Sequence, residues 1–317
     1  MRAVWLRAFG GPEQLRVEDT PDPEPESGQA LIDVELANVT FVETMFRATG
    51  FGPERELPVI PGNGVGGRVV AVGPDVDAAL VGTRVVSSTG GTGAYAERVA
   101  VDAAGVFRVP DMLALDGALA LLADGRTATM LVDVAAVGPG DRVLVEAAAG
   151  GVGTLLVQAA RRAGALVVGA AGGPRKTGVV RRLGADVVVD YLDADWADRV
   201  RAGTGGLDVV FDGVGGATAR AAFELLERGG RMVSFGPASG EWAGIADATA
   251  AERGVTLVST EVPPDRLRAY TERALAEAAA GRLFPVIGQR FPLARAADAH
   301  AVIEARATVG KTLLVVR

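Results

Sequence analysis

The chain has 317 residues, 49% of them hydrophobic, a formal net charge of −7, one histidine and no cysteine. That length suits two domains rather than one core. Disulfides and thiolate metal sites are excluded, and a zinc centre of the His/Cys/Glu type cannot be assembled from a single histidine, so no metal site is expected. The acidic balance disfavours nonspecific nucleic-acid binding. No apolar run reaches the ~18 residues of a membrane span, and MRAVWLRAFGGPEQL carries no secretory apolar core. The expectation is a cytoplasmic protein without membrane contact.

From Met1 to about Val109 short apolar runs read as strands punctuated by Gly and Pro: AVWLRAF, LRVEDTP, QALIDVELANVT, GRVVAVG, TRVVSST and AYAERVAV. The alternation from Ala30 to Leu36 predicts a half-buried strand. Pro21 to Gly28, PDPEPESG, reads as an exposed acidic turn. A helical region begins within Met112 to Leu122.

The stretch from Val143 to Ala171 carries most of the information. Val143 to Val145 suits a buried parallel strand. Ala148, Gly150 and Gly153 form an A-x-G-x-x-G variant of the dinucleotide fingerprint, with Gly151 and Val152 inside it. A helix pattern follows with Leu155, Leu156, Ala159 and Ala160 on one side, and Ala165 to Ala170 makes a second strand. Small residues at these places give a tight turn, backbone access for a pyrophosphate at the helix N-terminus, and close helix–strand packing. No Asp or Glu falls between Glu146 and Asp186. The acid that would hold the ribose hydroxyls of NAD is therefore missing after Gly169-Ala170-Ala171. Arg175 and Lys176 follow instead, in a segment read as a loop, and suit a 2′-phosphate; NADPH is the expected cofactor.

Strands and helices then alternate through GADVVVDY, GLDVVFDGVGG, GGRMVSFG and GVTLVST, as in a doubly wound parallel sheet. Gly213, and Gly236 with Phe235 beside it, follow strands at their C-terminal ends, where a dinucleotide crosses. After Pro263-Pro264 a helix is expected over Asp265 to Ala280, ending at Gly281. The tail reads as loop, helix and strand, and rejoins the N-terminal β-rich part. The expected division is 1–117 with 282–317 for the β-rich domain and 118–281 for the dinucleotide-binding domain.

Five segments in this order carry a family resemblance: LPVIPGNGVGGRVVAVG, ALLADGRTA, EAAAGGVGTLLVQAARRAGA, DVVFDGVGG with GGRMVSFG, and RFPLARAADAHAVIEARATVGKTLLVV. Over essentially the whole chain they resemble the medium-chain dehydrogenase/reductase superfamily, in its zinc-free quinone oxidoreductase branch. The resemblance implies an α/β fold with a Rossmann parallel sheet plus a β-rich, GroES-like catalytic domain. Zinc alcohol dehydrogenases carry His-Glu where this chain has Asn63-Gly64, so hydride transfer is expected without a Lewis acid, to a quinone or an activated conjugated enone.

The resemblance also implies residue roles. VTFVETMFRATG matches an active-site stretch in which Thr40 takes an Asn place, Glu43 an Asp place and Met45 a Tyr place. Thr40, Glu43 and Asn63 are the candidate pocket residues, with Phe41, Met45, Phe46, Phe51 and Trp242 shaping the pocket. Glu43 reads either as a proton relay or, more simply, as an i,i+4 partner of Arg47. Thr127, Lys176, Tyr191 and Lys311 match positions near the cofactor. His300 matches a family histidine without a catalytic role. Glu146 stands where relatives often carry histidine, and the residues assign it no role. Relatives are mostly homodimers, and Gly254 to Thr260 is the candidate edge. Two other readings share the fold: an enoyl reductase acting on a thioester or a polyketide-derived C=C bond, and a non-catalytic NADPH-binding protein.

Overall fold

The computed structural model of the chain describes residues 1–52 and 55–317. They divide into two compact units, Met1–Ala123 with Leu275–Arg317, and Asp124–Ala274. The first unit begins with β1 (Arg2–Leu6), β2 (Leu15–Asp19), β3 (Gln29–Val39), α1 (Phe41–Thr49), β4 (Gly64–Val72), β5 (Arg84–Ser88), β6 (Arg98–Asp102), β7 (Val106–Arg108) and α2 (Leu115–Ala120). A single π turn, Leu121–Gly125, runs from α2 into α3 (Arg126–Val134). The second unit continues with β8 (Arg142–Val145), α4 (Gly151–Arg162), β9 (Leu166–Ala171), α5 (Pro174–Arg182), β10 (Val187–Asp190), α6 (Trp196–Thr204), β11 (Leu207–Asp212), α7 (Gly216–Phe223), β12 (Leu226–Ser234), α8 (Asp247–Arg253) and β13 (Thr256–Leu257). Helix α9 (Pro264–Ala279) leads back to β14 (Ile287–Pro292), α10 (Ala296–Glu304) and β15 (Lys311–Val315).

In the first unit, β1 and β2 form an antiparallel pair, and a larger sheet runs β14-β15-β3-β4-β5-β7 with β6 also on β3. The returning tail pairs β15 antiparallel to β3, Leu314 against Ala37. Its side chains join one core: Leu293, Ala299, Ile303 and Leu314 pack with Leu6, Ile32, Val34, Val65 and Val99. The half-buried alternation expected over Ala30 to Leu36 gives way to burial of Ala30, Leu31 and Ile32 in succession. Successive side chains point to opposite faces of a strand, so both faces of β3 are covered there. The acidic segment from Pro21 to Gly28 is largely exposed, as its composition requires.

In the second unit all strand pairs are parallel, in the order β10-β9-β8-β11-β12-β13 among the described residues. Such strands are covered on both faces and read as continuous apolar runs. Val143, Leu144 and Val145 accordingly have no exposed surface, and Val167 and Val168 match them on β9. The chain leaves β8 towards β9 on one side and returns to β11 on the other. The gap between β8 and β11 is the topological switch point, where the carboxyl ends of the strands open a crevice for ligand. At the far edge, β13 is only two residues long.

Candidate functional site

The glycine turn lies at that switch point. Glu146 follows β8, Ala147 takes a left-handed backbone with φ of 46°, and Gly150 caps α4 without any side-chain hydrogen bond. A non-glycine residue in that region stores strain of about 1–2 kcal/mol, a cost found where function fixes the backbone. Ala148 N–H donates to Ala170 O across to β9 at 3.0 Å, and Gly150 N–H donates to Ala147 O at 2.8 Å. A Cβ on Gly153 would stand 2.8 Å from Ala148 Cα, so helix and turn touch backbone to backbone. A Cβ on Gly151 would stand 2.9 Å from Asp124 Cγ. The first turn of α4 carries no acidic residue of its own, leaving its N-terminal amide groups, with Val152 among them, for an anion.

Strand β9 ends at Ala171, and beyond it the structure corrects an expectation. Arg175 and Lys176 do not sit in a loop. They occupy the first turn of α5, after Pro174 at its start, and no acidic residue is present in that turn. Two cations at a helix N-terminus oppose the macrodipole unless an anion is held among them. Gly173 N–H is held by Asp190 Oδ2 at 2.9 Å, tying the start of α5 to the end of β10. Tyr191 follows β10, half-buried, and its ring leans over Gly172, where a Cβ would meet Cε2 at 3.1 Å.

On the other side of the switch point, Gly213 lets Phe235 approach to within 2.7 Å of where a Cβ would be, and Phe235 N–H donates to Asp212 O at 2.8 Å. Gly236 is the next residue. The Gly213 turn is organised by Asp212, whose Oδ1 accepts from Val214 N–H at 3.1 Å and Gly215 N–H at 2.7 Å. Its Oδ2 accepts from the Ser234 hydroxyl at 2.7 Å. Asp212 and Ser234 are absent from the residues that the sequence singles out; a lone acid closing an apolar strand before Gly-Val-Gly-Gly is the signal that could have found them. Thr127 is the second residue of α3, half-buried.

In the first unit, Thr40, Glu43 and Asn63 are brought together. Thr40 caps α1 in a capping box: its hydroxyl accepts from Glu43 N–H at 3.3 Å, and its own N–H donates to Glu43 Oε2 at 2.6 Å. Glu43 Oε1 accepts from Asn63 N–H at 2.8 Å, and Asn63 Oδ1 accepts from the Ser88 hydroxyl at 2.7 Å. Glu43 is buried, which pushes its carboxyl upward in pKa; the Thr40 and Asn63 donors and the charge of Lys311 pull the other way. Lys311 itself is buried at the start of β15.

The expected pair between Glu43 and Arg47 does not form. Glu43 turns to its own cap, while Arg47, 1% exposed, bonds Gly10 O and pairs with Glu304 of α10. The i,i+4 spacing is present, but the capping box and the burial of α1 against α10 outweigh a surface pair. Glu43 instead gains a partner with no local signal in the sequence: the Tyr95 hydroxyl donates to Oε2 at 3.2 Å. Tyr95 Oη also lies 3.0 Å from His300 Nε2. With the phenolic proton on Glu43, the second contact requires Nε2–H to donate to Tyr95, which fixes the neutral tautomer. Burial first, and then the charge of Arg47, push His300 down to about 3. His300 is a buried, partnered core histidine.

Of the residues expected to shape a pocket, Phe46 is buried in the core of the first unit, and Phe41 lies beneath the Arg306 guanidinium at 4.1 Å. Phe51 and Trp242 are about half exposed, at 49% and 52%. Met45 is intermediate. Among the described residues no three His, Asp or Glu side chains gather in a way that could hold a metal ion, and no helix is long and apolar enough to cross a membrane.

A switch-point glycine turn on a doubly wound sheet, joined in one chain to a β-rich unit, defines a dinucleotide-dependent oxidoreductase architecture. Family models agree on both halves: residues 26–111 match the alcohol dehydrogenase GroES-like domain and residues 151–275 the zinc-binding dehydrogenase domain. A quinone oxidoreductase of Pseudomonas aeruginosa is 32% identical over 322 residues, covering 99% of each chain. Among solved structures, a mycobacterial protein complexed with NADPH is 37% identical with a TM-score of 0.90, and Escherichia coli quinone oxidoreductase complexed with NADPH is 28% identical with a TM-score of 0.91. Each alignment covers 100% of both chains. The chain belongs to the medium-chain dehydrogenase/reductase superfamily, in its quinone oxidoreductase branch.

Proposed function

We propose that the protein is an NADPH-dependent oxidoreductase that passes hydride to a quinone or an activated conjugated enone without a metal. The observation that carries the cofactor half is the first turn of α5: two cations and no acidic residue of its own, directly after the strand end where an NAD site would place a carboxylate. The glycine turn fits a dinucleotide, because Gly153 admits backbone-to-backbone contact and the first turn of α4 is free of acidic residues. Ala148, Gly150, Gly151, Val152 and Gly153 would hold the pyrophosphate, Arg175, Lys176 and Tyr191 the 2′-phosphate end. Thr127, Gly213, Phe235, Gly236 and Lys311 complete the proposed set. NADPH, when bound, supplies the hydride.

The chain's own contribution is positioning and exclusion of water. Thr40, Glu43 and Asn63 are the proposed polar residues on the acceptor side. Glu43 acts there by holding the Thr40 and Asn63 backbone, since three donors already occupy its oxygens. An enoyl reductase using a tyrosine acid finds little support: Tyr95 is fully buried, and Tyr270 is buried with its hydroxyl on Asp133. A homodimer joined through the Gly254–Thr260 edge is the reading that the resemblance implies; β13, two residues long there, does not add to it, because short edge strands disfavour pairing.

The test is oxidation of NADPH by the purified protein with 9,10-phenanthrenequinone and, in parallel, a crotonyl thioester, with NADH as control. Quinone-dependent turnover preferring NADPH supports the proposal. Turnover on the thioester alone moves the protein to enoyl reduction, and tight NADPH binding without turnover on either moves it to a non-catalytic role.

A further inference from the structure

Glu146 has no exposed surface, and neither does Asp212, the last residue of the adjacent strand β11. The two carboxyls converge on one backbone amide, that of Val214. Glu146 Oε2 accepts from Val214 N–H at 3.2 Å, the same amide that Asp212 Oδ1 takes at 3.1 Å. Glu146 Oε1 is buried without a donor. Among the described residues no Arg, Lys or His pairs with either carboxyl. Arg142 on β8 is taken by Asp208, Arg231 on β12 by Asp141, and the neighbour from β12 is the neutral Ser234. Asp124, against Gly151, is a further acid bordering the turn.

Two ionised carboxylates cannot share such a site without a cation. Asp212 accepts from Val214, Gly215 and Ser234 and is suited to the charge. Glu146 has one long acceptor contact and an orphaned oxygen, and a hydroxyl donating to Asp212 removes the conflict. Burial, and then the nearby charge of Asp212, accordingly hold Glu146 well above the usual carboxylate range.

We propose that Glu146 is a positioning residue: it carries the one proton of a carboxyl pair with Asp212, and the pair latches the Gly213–Gly215 turn in the form that accepts the dinucleotide. The latch rests on the proposed binding of NADPH. The pair ties the carboxyl ends of β8, β11 and β12 through Glu146, Asp212 and Ser234. Loss of the shared proton would set two anions against each other beneath that turn.

The experiment compares wild type, Glu146→Gln and Glu146→Leu by NADPH fluorescence titration and by thermal midpoint, from about pH 5 to about pH 9. Wild-type NADPH Kd rises up to ~10-fold per pH unit once the pair deprotonates. Glu146→Gln still donates to Asp212 and has no proton to lose, so its profile is flat. Glu146→Leu, which cannot donate, binds more weakly at every pH. The midpoints separate this inference from the cofactor reading. A folded-state pKa above the ordinary Glu value makes folding progressively costlier as pH rises from that ordinary value. The wild-type midpoint should therefore fall relative to Glu146→Gln as pH rises, whether or not NADPH binds. Parallel midpoint curves overturn the shared proton, and parallel Kd curves overturn the latch. Absence of NADPH binding by wild type at any pH, with diverging midpoints, sinks the cofactor reading and the latch while retaining the shared proton.

Discussion

Tyr95 and Glu43, 52 positions apart in sequence, meet at 3.2 Å with both side chains buried. Behind Tyr95 stands His300, so three polar groups form one chain of donors ending on the carboxyl that holds Thr40 and Asn63. Removing the middle group strands both ends. Tyr95→Phe is expected to cost about 1–3 kcal/mol, the penalty of leaving buried polar groups unpaired. Urea unfolding checks it, and a loss under about 0.5 kcal/mol would show that the chain holds nothing together.

His300 offers a pH test, since it is the one histidine in the chain. Its folded pKa of about 3 lies below the ordinary 6.5. Between these values the unfolded chain takes up a proton that the folded protein refuses. Stability is therefore full above the ordinary value and is lost as pH falls towards about 3. The imidazole resonances should stay those of the Nε2–H tautomer from about pH 8 to about pH 5. A titration midpoint near the ordinary value would refute the buried assignment.

Arg47 and Glu304 form an unequal pair, with side-chain exposures of 1% and 34%. Glu304→Ala leaves a buried guanidinium whose one remaining partner among the described residues is the Gly10 carbonyl, at about 3–5 kcal/mol. Arg47→Met leaves a carboxylate that can still reach water, and should cost less. Denaturant unfolding of the two variants decides the order; the reverse order would mean that the packing of the arginine stem outweighs its charge.

At the glycine turn the two variants Gly153→Ala and Gly150→Ala should differ. The first drives a methyl to 2.8 Å from Ala148 Cα, and backbone cannot swing aside; the second meets Ala147 O at 3.2 Å and asks for a shift of a few tenths of an ångström. Gly153→Ala is expected to destabilise by about 1–3 kcal/mol and to abolish NADPH binding. Similar behaviour of the two would place the close contact elsewhere.

Lys176→Ala should weaken NADPH far more than NADH, which fluorescence titration of both cofactors would read. Equal losses would remove the 2′-phosphate from the start of α5.

The dinucleotide-binding unit is legible because its signals are local. Gly153, the apolar run of β8 and the missing acid after Ala171 all lie within one strand–helix–strand segment. Arg175 and Lys176 stand out by type and place but read as loop, since Gly172-Gly173-Pro174 looks like a break; Pro174 in fact starts a helix, where its missing N–H costs nothing. The cluster proposed for the acceptor side is harder. Thr40 and Glu43 form a local capping box, whereas Tyr95, His300 and Glu304 reach α1 from 52 to 257 positions away. Such contacts are set by the sheet's return path and leave no periodic trace. Glu146 is visible yet silent for the same reason: its partner closes another strand.

The chain's side-chain nucleophiles are unusually few. It has no thiol, its one imidazole is buried, and its only two lysines are Lys176 and Lys311, the latter buried in β15. Quinones and enones alkylate thiols and amines, so a protein that handles them is at risk of covalent self-inactivation. Here the side-chain amine within reach of such an electrophile is that of Lys176, at the proposed 2′-phosphate site, and bound NADPH would shield it. Side-chain adduct formation on this chain should therefore be a single event, and the cofactor its antidote.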